Sequence, residues 1–71
     1  MNDNELLDIA ANKLIDIISK TGLTQSELAE RAELSQAQIN HIINKRRFGT
    51  VASWFKIAEA LGVPMDYFFR K

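Results

Sequence analysis

The chain has 71 residues, 46% of them apolar, no cysteine and a formal net charge of zero. That length limits it to one domain over residues 1–71, and a domain so small hides only about 60% of its extended-chain surface on folding. No disulfide can reinforce it, no apolar run approaches a membrane span, and Asp3, Glu5 and Asp8 stand where a secretory leader would carry bases. The expectation is a cytoplasmic protein, whole or excised from a longer chain, built on packed amphipathic helices.

Leu7, Ala10, Ala11, Leu14, Ile17 and Ile18 recur at three- and four-residue steps, which predicts a first helix with one apolar stripe. Gly22 is its natural stop, and Ile9 falls on its opposite, exposed face. Thr24 with Glu27 makes a capping box that starts a second helix, with Leu28, Ala29 and Ala32 inward. Ser35 with Gln38 repeats that signature eleven residues later. Two starts that close leave room for about two turns of helix and a connection of roughly three residues. That spacing predicts a helix-turn-helix over residues 24–44, with the small Ala29 of the second helix where the third must cross it.

The third helix buries Ile39, Ile42 and Ile43 by their spacing. At about 100° per residue, Ala37, Asn40, His41 and Asn44 then project to the opposite side. Thr50 is placed to cap a fourth helix, with Val51, Trp54, Phe55, Ala58 and Leu61 inward. Gly62 ends it, and Pro64 suits the first turn of a short fifth helix carrying Met65, Phe68 and Phe69 back onto the core. No period-two run or hairpin turn pair suggests a strand.

Zero net charge conceals a strong asymmetry. Residues 1–33 hold seven acids and three bases, whereas residues 34–71 hold two acids and six bases. From Leu34 to Ala58 there is no acid, while Lys45, Arg46, Arg47 and Lys56 all lie there. A local basic patch supplies the footprint that a phosphate backbone requires; the competing reading is an ordinary solvated charge cluster. Three adjacent cations also resemble a localisation signal, a weak match at this length.

A helix face that serves only solubility is usually filled with Glu and Lys. The third helix instead offers Gln36, Ala37, Gln38, Asn40 and His41. Amides can pair with adenine N6 and N7 in the major groove, and Ala37 can meet a thymine methyl. These five residues are therefore the candidate base readers; the alternative is a polar surface with no reader. Gln25 lies in the first turn of the second helix, where free N–H groups and the helix dipole favour a phosphate. Ser35, Asn44, Lys45, Arg46 and Arg47 complete the candidate phosphate contacts, which fix register without reading sequence.

These residues resemble the Cro/repressor-type helix-turn-helix regulators, also called the xenobiotic-response-element family. The likeness spans roughly Ile9 to Phe69. It rests on Leu23-Thr24-Gln25, Glu27-Leu28-Ala29, Leu34-Ser35, Ile39, Ile42, Asn44 and the run Lys56-Ile57-Ala58-x-Ala60-Leu61-Gly62-Val63. The resemblance implies an all-α, five-helix, lambda-repressor-like fold. It also implies a homodimer on double-stranded DNA with a palindromic operator, and repression of transcription in bacteria or phage. In the family, the residue matching Gln25 commonly contacts phosphate, and those matching Gln36, Ala37, Gln38, Asn40 and His41 face bases or the adjacent backbone. Glu33 and Lys45 stand at positions where the family often has Gly, and Ile43 where it often has Glu. If Glu33 has positive φ, its side chain costs about 1 kcal/mol.

Catalysis fails on inventory: there is one His, no Cys and no metal-ligand cluster, so no cofactor, metal or small-molecule substrate is expected. Ser53-x-x-Lys56 matches a penicillin-interacting motif but lacks its companions. The rival function is a protein-binding module on the same fold, such as an antitoxin or an anti-repressor target. Its surface would be the acidic first helix, Ile9 and the apolar C-terminal end. Apolar residues also exceed what a small core absorbs near the entrance to the fourth helix and at the C-terminus. Phe48, Met65, Tyr67 and Phe68 are accordingly the candidate dimer contacts.

Overall fold

A computed structural model describes residues 2–70, apart from the side chain of Asp3. Four α-helices follow one another: α1 (Asp3–Thr21), α2 (Gln25–Ala32), α3 (Gln36–Ile43) and α4 (Val51–Leu61). A 3-10 helix, Met65–Phe69, closes the chain. It is the expected short fifth helix, in 3-10 form. Described residues include no strand.

Local chemistry sets nearly every boundary. The Asn2 side chain accepts from the Glu5 amide at 2.9 Å and starts α1, and Gly22, in the left-handed region, ends it. Both predicted capping boxes form. The Thr24 hydroxyl accepts from the Glu27 amide at 3.0 Å while the Glu27 carboxylate accepts from the Thr24 amide at 3.0 Å. Ser35 and Gln38 repeat the exchange at 3.1 and 2.8 Å. Each box satisfies two amides that a helix start would otherwise leave unpaired. Between them Glu33 turns the chain at φ 57°, and the Leu34 amide donates to the Ala29 carbonyl at 2.9 Å. The turn is tight because a non-glycine residue accepts a left-handed conformation there.

Ala10, Leu14, Leu28, Ala29, Ala32, Ile39, Ile42, Trp54, Ile57, Ala58 and Phe68 form the core. Helix α2 packs against both α3 and α4, while α1 braces α3 and the 3-10 helix. Ala29 retains 4% exposure, so the α2–α3 crossing has no room for a longer side chain. Ile9 is half-buried and not exposed as expected; Ile15 is the exposed isoleucine of α1.

Helix α4 turns a different face inward from the one its spacing predicts. Val51 and Phe55 are 74% and 53% exposed, while Ser53 and Ile57 join Trp54 and Ala58 in the interior. Two overlapping apolar stripes run along this helix, and tertiary contacts choose between them. The Trp54 indole Nε1 donates to the Phe48 carbonyl at 2.8 Å. A Cβ added to Gly49 would meet Ile42 Cδ1 at 3.3 Å and Ser53 Cβ at 3.8 Å. The entry to α4 is therefore crowded, and Ser53 faces it.

Phe68 is fully buried. Its ring lies 5.2 Å from that of Trp54, so the side chain is committed to the protomer core and not offered to a second copy. Phe69 stacks on Phe48 at 6.1 Å with the rings 17° apart. This aromatic group joins the C-terminus to the segment leaving α3.

Candidate nucleic-acid interface

Helix α3 presents Gln36, Ala37 and Gln38 to solvent, and Ser35 is exposed at its cap. The Gln38 carbonyl oxygen is occupied by the cap, which leaves its amide nitrogen as the group facing outward. Asn40 and His41 are half-buried. Asn40 Nδ2 donates to Gln25 Oε1 at 3.3 Å, linking α3 to the first turn of α2. That bridge holds the Gln25 amide on the side of the reading helix. The first amides of α2, which helical geometry leaves without internal carbonyl partners, lie in the same turn.

His41 sits lower than the other candidate readers. It borders a cleft of about 210 Å³ with Gln38, Ile42, Arg47, Gly49, Thr50 and Ser53. Its Nδ1 is enclosed and has no hydrogen-bond partner among the described residues. This placement sets His41 towards the loop that enters α4.

The chain leaves α3 through Asn44 and then Lys45, whose φ of 59° makes it the second non-glycine residue in the left-handed region. Asn44 Nδ2 donates to the Asn40 carbonyl at 3.0 Å, and the Arg46 amide donates to the His41 carbonyl at 2.8 Å. All four residues from Asn44 to Arg47 are exposed. Their charges are not equivalent. Lys45 Nζ is in direct contact with Asp8 of α1, whereas Arg46 and Arg47 form no ion pair among the described residues. Sequence reasoning grouped the three cations together and missed Asp8. No local signal joins residues 37 apart.

The candidate dimer contacts separate in the same way. Phe48, Met65 and Tyr67 are half-buried. Phe48 and Met65 line an apolar groove of about 230 Å³ with Leu6, Gly49, Trp54 and Phe69, and the exposed Val51 forms its rim. Tyr67 faces α1 instead, with Lys13 Nζ 5.2 Å from its ring centroid.

Two short capped helices joined by a left-handed residue, with the second presenting an uncharged polar face, define a helix-turn-helix. The family model of that description matches residues 18–68, which reaches from the end of α1 to the 3-10 helix. The chain belongs to the Cro/C1-type helix-turn-helix family and is, at the level of that family, a DNA-binding regulator of transcription. A search among curated proteins finds no match. No helix among the described residues is long and apolar enough to cross a membrane.

Proposed function

We propose that the chain binds a palindromic operator as a homodimer and represses transcription, with α3 of each copy in the major groove. In this reading residues 1–71 are one domain acting in the cytoplasm of a bacterium or in a phage-infected cell, with no catalytic role. The observation that carries it is the outer face of α3, exposed, rich in amides and free of acids from Leu34 to Ala58. Gln36, Ala37, Gln38 and Asn40 meet base edges, and His41 lies at the boundary between bases and backbone. Gln25, Ser35, Asn44, Arg46 and Arg47 hold phosphates on either side, with Lys45 restrained by Asp8. A second copy docks on the groove of Phe48 and Met65, placing the recognition helices about 34 Å apart, one turn of DNA.

Selection of bound sites from random duplex DNA tests the whole reading, since it returns both sequence preference and half-site spacing. Gln36→Ala then lowers discrimination at one base pair by roughly 1–3 kcal/mol. An equal loss on selected and random DNA would remove the base-reading role. A monomer by sedimentation, free and on DNA, would remove the dimer.

One observation favours a second reading, an interaction module for a protein partner. Phe55 is 53% exposed beside Arg31, Lys56 and Glu59 on a groove between α2 and α4, away from the α3 face. Under that reading selection from random DNA enriches nothing.

A further inference from the structure

Lys45 belongs by sequence to a run of three cations, yet its ammonium is engaged within the protomer. Its Nζ meets Asp8 Oδ1, and the two side chains are 37% and 57% exposed. The pair therefore lies at the surface, within reach of a ligand. Lys45 follows directly on α3, and its left-handed φ of 59° fixes where its stem leaves the backbone. Asp8 projects from α1, and its neighbours Leu7, Ala10 and Ala11 are buried, so the carboxylate is anchored. The contact thus places a fixed acid beside the end of the reading helix, in the stretch where the segment from Leu34 to Ala58 supplies none.

We propose that Asp8 is an internal competitor for DNA phosphate. It occupies the Lys45 ammonium in the free protein, so that a phosphate must displace the carboxylate to recruit this cation. An exposed ion pair contributes little to stability, which makes the exchange feasible in either direction. Asp8 therefore lowers affinity for DNA of any sequence while leaving the choice among sequences to α3. The inference rests on DNA binding through the α3 face, and it does not require a dimer, an operator or base reading.

The test is equilibrium binding of wild type and Asp8→Asn to a mixed-sequence duplex across a salt series. Each phosphate neutralised contributes about 0.9 to the slope of log affinity against log salt. Asp8→Asn is expected to steepen that slope by up to about 0.9, with a gain of up to about 15-fold at roughly 0.05 M salt that shrinks to about twofold at roughly 0.5 M. Asp8→Ala repeats the measurement with a side chain that cannot hydrogen-bond to the ammonium. In a Lys45→Met background the change in slope on Asp8→Asn disappears. An unchanged or shallower slope in both Asp8 variants overturns the proposal. So does an equal steepening in the Lys45→Met background, which would place the effect outside this pair. Failure of base reading appears separately, as absent sequence preference in the selection experiment.

Discussion

Glu33 offers the cleanest test of how the two-helix unit is held together. It sits at φ 57°, ψ 40° between α2 and α3, where its Cβ crowds the following carbonyl. For an L residue this conformation costs roughly 1–2 kcal/mol. Its side chain is exposed and forms no hydrogen bond or ion pair among the described residues. Glu33→Gly therefore removes the strain and loses little else in the folded state. Against this, glycine adds freedom to the unfolded chain, worth about 0.4–1 kcal/mol. The net stabilisation lies between about 0 and 1.6 kcal/mol, centred near 0.8, and at that centre raises Tm by roughly 3–6 °C for a chain this short. Urea denaturation measures it as a higher midpoint at unchanged slope. Glu33→Ala serves as the control, since alanine discards the charge but keeps the Cβ and stays near wild type. If glycine and alanine behave alike, or if glycine destabilises, the strain argument is wrong.

Two other perturbations address the same unit. Ala29→Leu is expected to destabilise by about 1–3 kcal/mol, because the α2–α3 crossing cannot admit a longer side chain; urea midpoints read the cost, and a wild-type midpoint would contradict it. The Thr24 backbone amide, and then its hydroxyl, hold the Glu27 carboxyl below the usual carboxylate range. A depressed folded value means the stabilisation is present above the unfolded value of about 4.3 and is lost as pH falls through the lower folded one. Glu27→Gln keeps an acceptor for the cap, so its thermal midpoint should fall less steeply than wild type over that acid window. Parallel curves would exclude Glu27 as a contributor.

The parts of the structure that depend on neighbours in sequence are legible in the sequence itself. The boxes at Thr24–Glu27 and Ser35–Gln38 and the stops at Gly22 and Gly62 are all settled within a few residues, whereas the left-handed turn at Glu33 is open, because the sequence offers a glutamate where such a turn favours glycine. The face of α4 is open too, because Val51 and Phe55 fit a helical stripe as well as Ser53 and Ile57 do. Only the Trp54 bond to the Phe48 carbonyl and the crowding at Gly49 decide between them. Phe68 reads both as core and as a dimer contact, and its burial bears out the first reading: consecutive apolar residues do not say which one turns inward. The candidate interface divides along the same line. The outward rank of Gln36 and Ala37 follows from helical phase, whereas the Gln25–Asn40 bridge and the Asp8–Lys45 pair join separate elements and leave no trace in spacing.

The stacked Phe48 and Phe69 rings bear on portability. A graft of residues 24–44 into a foreign scaffold would carry the candidate base readers but none of the cations Lys45, Arg46 and Arg47. It would leave behind Phe48, Trp54 and Phe69, which set the angle at which α3 passes into α4. It would also lose Leu7, Ala10 and Leu14, which close the interior from the other side. The smallest transplantable reader accordingly runs from Leu7 to Phe69, and any shorter piece would have to borrow its alignment from the host.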